Sequence, residues 1–291
     1  MIHTASVTAA TAIGFCAILL WASLALFATM AGPIPPFQMT AMAFALAFAL
    51  AFGKWIVRRE NVVGHLVLPV RVWALGVGGL FGYHVCYFAA IAWAPPVEAN
   101  LINYLWPLLI VVFSGLLPGE RLRWWHLAGT ALGLIGCITL IGGGAGGIRS
   151  EYSAGYLAAL AAALTWSSYS VLSRRVRDVP TDAVGGFCGA TAVLALVAHL
   201  LFETTYVPQG GEWLAALALG LGPVGAAFYV WDYGVKRGDI KALGALSYMT
   251  PLLSTLLLVV FGRAQASLRL GIACLLIVGG AALASKELWR R

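Results

Sequence analysis

Long apolar tracts alternate along this chain with short polar punctuations, and the tracts have one recurrent length. Thr11–Ala31, Phe37–Val57, Val97–Leu117 and Leu268–Ser285 each run to about the 20 apolar residues that a helix needs to cross a hydrocarbon layer roughly 30 Å thick. Extended over the whole chain, the pattern predicts ten spans: 11–31, 37–57, 72–93, 97–117, 124–142, 154–173, 183–203, 212–232, 241–261 and 268–285. The expected fold class is therefore an all-α integral membrane protein. The first tract has no Lys or Arg before it and is too long for a signal-peptide core, so it reads as a retained helix.

Composition removes the soluble alternative. Of 291 residues, 61% are apolar and 10% charged, where soluble domains carry about 25% charged. So few charges could not cover a water-exposed surface. The five cysteines, Cys16, Cys86, Cys137, Cys188 and Cys274, all fall inside apolar tracts without a Cys-x-x-Cys pair. They indicate neither a metal site nor a disulfide framework.

The net charge of +7 is explained by where the cations fall. Lys54, Arg58, Arg59, Arg71, Arg121, Arg123, Arg174, Arg175, Arg177, Lys236, Arg237, Lys241, Lys286, Arg290 and Arg291 share one side of the ten-span layout, and Arg149, Arg263 and Arg269 the other. By the positive-inside rule the first side, with both termini, is cytoplasmic. The basic character is thus a topology signal and implies no nucleic-acid partner. Trp55, Trp73, Trp93, Trp124, Trp125, Trp213, Trp231 and Trp289 lie near span ends, where the indole favours the headgroup region. Trp21, Trp106 and Trp166 lie near mid-membrane.

The chain also repeats itself. Tyr104-Leu-Trp-Pro107 matches Tyr248-Met-Thr-Pro251 at an offset of 144, and Trp21-Ala-Ser23 matches Trp166-Ser-Ser168 at 145. Residues 1–145 and 146–291 then form two five-helix units, and an odd number of spans turns the second upside down relative to the first. Inverted repeats around a midplane site are a common architecture of secondary transporters. Between the halves, Gly142-Gly-Gly-Ala-Gly-Gly147 lacks the Lys-Ser/Thr of a phosphate loop and reads as a linker.

Polar groups inside spans need partners or a wet cavity. Asn100, Asn103, Tyr104 and Pro107 recur at i, i+3, i+4 and i+7, one helical face, and Gly244, Ser247, Tyr248 and Pro251 repeat it. Tyr83 and Tyr87 stand one turn apart beside His84. A cavity lining is one reading of these residues and helix–helix hydrogen bonding the other; His84 could equally satisfy a neighbouring carbonyl. Pro107 and Pro251 read as hinges or as static kinks. Trp21, Trp106 and Trp166, together with the four tyrosines, suggest an aromatic chamber, although any one could be plain core. Gly129-x-x-x-Gly133 and Gly185-x-x-x-Gly189 read as close-packing motifs within the chain. No Lys, Arg, Asp or Glu lies at mid-depth; Glu98, Glu203 and Asp232 sit at span ends, where solvent contact is expected. Walker and His-Glu-x-x-His motifs are missing, so neither ATP-driven pumping nor hydrolysis is supported and no catalytic residue or cofactor is assigned.

Glu98-Ala-Asn-Leu-Ile-Asn-Tyr-Leu-Trp-Pro-Leu-Leu, then Gly119-Glu-Arg-Leu122, with counterparts around Tyr248–Leu253 and at Gly279-Gly280, resembles the EamA-type drug/metabolite transporter superfamily. Through Asn103-Tyr-Leu-Trp-Pro107 it is most similar to the YddG-type branch of aromatic amino-acid exporters. The resemblance implies a ten-helix basket around a central cavity in a bacterial inner membrane, exporting amino acids and aromatic ones above all. Two departures stand out. Gly262-Arg263-Ala264 replaces the Gly-Glu of the first half, and the first span lacks the carboxylate of small multidrug-efflux relatives. The resulting expectation is an exporter or facilitator, not an enzyme, acting as a monomer. A zwitterion would meet Asn100, Asn103 and tyrosine hydroxyls, and its side chain the aromatic faces. A drug, sugar or other metabolite transporter of the same fold is the alternative.

The topology has a direct check. On intact cells a membrane-impermeant thiol reagent is expected to label a cysteine placed at Gly144 and not one placed at Arg175; the reverse labelling overturns the assignment.

Overall fold

The computed structural model describes residues 6–142, 147–262, 265 and 267–287. The middle of the glycine linker, Arg263, Trp289, Arg290 and Arg291 lie outside the described residues. Among the described residues every regular element is helical. The long helices are α1 (Val7–Met30), α2 (Pro36–Val57), α3 (Val70–Trp93), α4 (Pro96–Ser114), α5 (Trp124–Ile141), α6 (Ser153–Ser173), α7 (Ala183–Phe202), α8 (Gly211–Arg237), α9 (Ile240–Val260) and α10 (Leu268–Ala284). Eight of them are long and apolar enough to cross a membrane. The other two are α6, which carries Ser167, Ser168, Ser170 and Ser173, and α10, which is only 17 residues long. Outward-facing Leu200, Leu201, Phe202 and Leu275 are more than half exposed, an apolar surface suited to lipid.

Several helices are interrupted, each for a local reason. In α1 the ladder breaks at Ser23, whose hydroxyl donates to the Leu20 carbonyl at 2.7 Å. In α4 it breaks at Tyr104 and Leu105, just ahead of Pro107, which has no N–H to give the Asn103 carbonyl. In α9 the same break falls at Ser247 and Tyr248, ahead of Pro251. Two further irregularities carry no warning in the hydrophobic pattern. Gly78–Gly82 in α3 and Gly222–Ala226 in α8 are π-helical turns. They stand 144 residues apart, the spacing of the sequence repeat. The first is glycine-rich, and the second contains Pro223, so both are poorly held in an α ladder.

Glycines decide how closely the straight segments approach. Where α5 crosses α10, a Cβ on Gly129 or Gly280 would strike the other helix's carbonyl oxygen. Gly14 of α1 packs against Gly234 of α8 with no room for a Cβ, and Gly79 of α3 lies under the ring of Tyr169 of α6. Gly185 and Gly189 of α7 accept Ala51, Trp55 and Phe48 of α2. Both close-packing motifs thus serve contacts within the chain. A shift of 144–145 residues sends the α1–α8 pair onto the α6–α3 pair, and the α2–α7 and α5–α10 pairs onto themselves.

Hydrogen bonds gather the helix ends into two opposite groups. At one, Lys54 pairs with Asp182 and Glu120 with both Arg174 and Lys241. Thr11 Oγ1 there accepts from the Asp239 amide. At the other, Gln38 and Tyr206 bond reciprocally.

The expectation of solvent contact at span-end carboxylates is corrected here. Asp232 is 1% exposed and Glu98 5%. Asp232 pairs with Lys236 at 3.0 Å and accepts from Thr181 at 2.7 Å. Glu98 occupies the first turn of α4, where the helix dipole favours a carboxylate. Glu203, largely covered, accepts the Phe37 and Gln38 amides at 2.9 and 3.1 Å, and so caps α2. Two of the tryptophans assigned to span ends are covered by protein. Trp55 is fully buried and stacks on His65 at 4.7 Å, and Trp231 is fully buried among other tryptophans.

The glycine crossing makes a prediction. Gly280→Ala is expected to destabilise the protein by about 1–3 kcal/mol through overpacking. Gly279→Ala, next along α10 but facing open space, is expected to leave the unfolding temperature unchanged or raised. Thermal unfolding in detergent checks both.

Candidate functional site

Between the interrupted helices lies a cavity of about 610 Å³. Its wall extends to Gly32 and Pro36, at the end away from the Glu120 cluster, and descends to Trp21, Trp106 and Trp166. The floor is Trp21, Trp106 and Trp166, which with the fully buried Trp231 behind them form a knot of four indoles. Trp21 meets Trp166 edge to face at 5.6 Å and Trp231 at 5.1 Å, and Trp106 meets Trp231 at 6.0 Å. Trp166 and Trp231 stack at 6.1 Å with an interplanar angle of 24°. Each such pair contributes about 0.5–1.5 kcal/mol beyond burial, so the floor is stiff as well as apolar. Two of the four indole donors are used inside the protein: Trp21 donates to the Pro223 carbonyl at 2.9 Å, and Trp231 to Ser170 Oγ at 3.1 Å. The π turn of α8 thus carries the carbonyl that holds Trp21. Trp106 and Trp166 give their N–H to no protein acceptor among the described residues.

One side wall is polar. The rings of Tyr83 and Tyr87 stack at 5.8 Å. Tyr87 Oη donates to Asn100 Oδ1 at 2.9 Å, Asn100 Nδ2 to the Pro96 carbonyl at 2.8 Å, and Asn103 Nδ2 to Tyr83 Oη at 3.2 Å. His84 Nδ1 lies 2.7 Å from the Leu80 carbonyl, so that nitrogen carries the proton, and in the neutral tautomer Nε2 is left as an acceptor. Both readings of His84 hold together, since it satisfies a carbonyl and also stands on the cavity wall. Asn103 Oδ1 and Thr250 Oγ1 are buried without a protein partner. The described wall carries no Asp, Glu, Lys or Arg. The arrangement can therefore hold a molecule with no net charge, an apolar body against the indoles and polar atoms against the tyrosine, histidine and asparagine groups.

Of the ten candidates read from sequence, nine meet on this wall: Trp21, Tyr83, His84, Tyr87, Asn100, Asn103, Tyr104, Trp106 and Trp166. Tyr248 does not; it is fully buried in a separate cluster with Cys137, Leu252 and Ile277. The two halves differ around these tyrosines. Tyr248 fills a slot above Gly133, where a Cβ would come within 2.6 Å of its ring. The residue 144 positions after Gly133 is Ile277, so the second half has no matching slot for Tyr104, which stays at the cavity. Pro251 lines the cavity, whereas Pro107 is buried behind it. Phe44, Phe228, Trp231 and Thr250 were not foreseen. The repeat could have found two of them, because Phe228 and Trp231 stand 144 residues after His84 and Tyr87.

Beyond the floor the chain is tied shut by charge. Glu120 takes Lys241 Nζ at 2.8 Å and Arg174 Nη2 at 3.3 Å, and Arg174 also donates to the Gly238 carbonyl at 3.0 Å. Partial burial pushes the Glu120 carboxyl up, but the Lys241 ammonium with Arg174 beside it more than offsets this and holds it below the usual carboxylate range.

Apolar helices around a wide, uncharged, aromatic-floored cavity, reaching one end and sealed at the other, define a polytopic membrane protein built to hold a small molecule. The chain belongs to the EamA-like transporter family, whose model matches residues 8–142 and again 153–286. The aromatic amino acid exporter YddG of Ancylobacter novellus is 56% identical over 282 residues, covering 96% of this chain and 97% of that protein. The protein of the same name from Escherichia coli K12 is 24% identical over 94% of this chain and 96% of its own length. A crystal structure of a chain 55% identical superposes with a TM-score of 0.92, over 97% of this chain and 99% of the other.

The Glu120 cluster predicts a pH dependence. A carboxylate held below its unfolded pKa, about 4.3, adds stability above that value and loses it as pH falls through the lowered folded pKa. Glu120→Gln is therefore expected to lower stability at pH 7 by roughly 1 kcal/mol, a difference that shrinks as pH falls below about 4.3 and vanishes only below the lowered folded pKa in thermal unfolding.

Proposed function

We propose that this chain exports aromatic and other neutral amino acids from the bacterial cytoplasm by exposing the cavity alternately to the two sides of the inner membrane. The observation that carries the reading is the uncharged cavity, floored by Trp21, Trp106 and Trp166 with Trp231 packed behind them, and walled on one side by Tyr83, His84, Tyr87 and Asn100. A neutral amino acid brings one positive and one negative group that cancel, so a site without ions can desolvate it if hydrogen bonds replace water. Trp106 and Trp166 N–H and the Tyr104 hydroxyl supply donors for its carboxylate. The Tyr87 hydroxyl, Asn100 Oδ1 and His84 Nε2 supply acceptors for its ammonium, and the indole faces take the side chain. A phosphorylated sugar or nucleotide would find no cation on this wall. The name of the relative that is 56% identical points the same way.

In this reading ten helices cross the membrane as two inverted five-helix units, 1–145 and 146–291, with both termini cytoplasmic. The family match in two copies, the paired π turns and the symmetric helix contacts support the division. The charged end is then cytoplasmic, and the described state is closed inward and open outward. Pro107 and Pro251, each at a helix break, serve as hinges for the reverse state. The working unit is the monomer, since the cavity is complete within one chain.

Counterflow of radiolabelled amino acids into proteoliposomes tests the reading, and saturable uptake of phenylalanine and tryptophan is the expected result. Trp106→Ala is expected to weaken transport of Phe and Trp at least fivefold more than that of Ala or Thr, with expression unchanged. Equal loss across the panel by folded protein would refute the aromatic-pocket assignment.

A further inference from the structure

A second polar chamber lies below the tryptophan floor. It is a void of about 10 Å³, about one water molecule in size. Asp232 and Lys236 of α8, Tyr169 and Ser173 of α6, and Phe187 of α7 stand around it with Val72 of α3. The Asp232–Lys236 pair is 3.0 Å apart, with side chains 2% and 4% exposed. Its outer side is tied to the connection between α6 and α7, through Thr181 Oγ1 donating to Asp232 at 2.7 Å and Lys236 Nζ donating to the Val179 carbonyl at 3.0 Å. Tyr169 is 2% exposed, and its hydroxyl is buried with no protein partner. The same ring lies 5.3 Å from Trp166, so one residue separates the chamber from the floor of the main cavity.

Such a pair is an unusual resident at this depth. Burying two charges carries a desolvation penalty that their attraction often fails to repay, and apolar residues of similar volume commonly serve stability as well. A metal cation is a poor occupant, because Lys236 already neutralises the carboxylate. A net-neutral molecule with one positive and one negative end matches it: its ammonium can replace Lys236 at Asp232, and its carboxylate can replace Asp232 at Lys236. The apolar remainder of the wall, Val72 and Phe187 among it, suits an aromatic or aliphatic side chain once the end opens. We infer that this chamber is a second binding station for zwitterionic amino acids, formed by Asp232, Lys236 and Tyr169 and occupied from the charged end of the molecule before the substrate passes the tryptophan floor. In the closed state the pair holds its own charges and the chamber shrinks to one water.

This rests on the transport reading above and deepens it. The test uses the full-length protein in membrane vesicles of both orientations, with phenylalanine supplied to one face at a time. Asp232→Asn combined with Lys236→Met removes both charges and leaves neither stranded. It is expected to raise the KM at the cytoplasmic face about tenfold while the KM at the cavity face shifts less than threefold. Thr181→Val, which keeps the pair but loosens its aim, is expected to raise the cytoplasmic KM two- to threefold. A pair that only latched the end shut would instead change the outer face, by depopulating the outward-open state. Equal KM changes at both faces, or none, overturn the inference, and so does failure of both variants to fold. If the unaltered protein moves no neutral amino acid from either side, the transport reading fails rather than the second station.

Discussion

In hydrocarbon a backbone amide without a partner has no water to turn to, and that single constraint places the cavity of this protein. The helical ladder can be interrupted only where a neighbouring helix, a side chain or a wet space satisfies the freed groups. Every interruption here borders the cavity. Ser23 lies between Trp21 and Leu24, the α4 break falls at Tyr104, and the α9 break precedes Thr250 and Pro251. The π turn of α3 runs straight into Tyr83 and His84, and that of α8 contains Pro223, whose carbonyl takes the Trp21 indole. The straight, glycine-matched crossings of α5 with α10 and α2 with α7 lie away from it and hold the frame. Rigidity and irregularity are thus separated in space, which allows the lining to rearrange while the outer helices keep their contacts.

Charge is handled by the same economy of partners. No ion stands on the cavity wall, whereas the sealed end concentrates Lys54–Asp182, Glu120 with Arg174 and Lys241, and Asp232–Lys236. Of these, the Glu120 cluster joins the turn after α4 to residues of the second half, so it bridges any seam between the two units. Partly exposed pairs of this kind are individually weak. Weak pairs can seal an end that also has to open.

Much of this was legible in the residues, and the failures have physical causes. The positions of the long helices followed from the tract lengths, eight of them apolar enough to cross a membrane, and nine of the ten candidate site residues met in one cavity because helical spacing brings i, i+3 and i+4 to one face. Tyr248 failed because a repeat transfers position but not surroundings: Gly133 opens a slot for it that Ile277 denies to Tyr104. Trp231 was assigned to the headgroup zone from its distance to a span end. That distance was taken to an expected end at residue 232, whereas α8 continues to Arg237 and so holds Trp231 well inside the helix. The buried Asp232 was missed for a related reason, since depth along a span says nothing of the neighbours that neutralise a charge.

The broken symmetry is itself informative. Both halves contribute indoles to the floor, Trp21 and Trp106 from the first and Trp166 and Trp231 from the second. The tyrosines, histidine and asparagines of the polar wall come from the first half alone, and the second half adds only the hydroxyl residues Thr250, Ser254 and Thr255. Positions 144 residues after Tyr83, Asn100 and Asn103 hold Ala227, Gly244 and Ser247, and Ser247 spends its hydroxyl on the Leu243 carbonyl at 2.7 Å. In the proposed inverted arrangement, equivalent positions lie at opposite depths. Loss of the polar set from one half therefore leaves hydrogen-bonding capacity on one side of the floor only. On the other side the groups able to meet a zwitterion are Asp232, Lys236 and Tyr169, none of them repeat counterparts of the polar wall. A substrate crossing the floor would thus exchange neutral hydrogen-bonding partners for charged ones, and the two faces of the transporter need not bind it equally well.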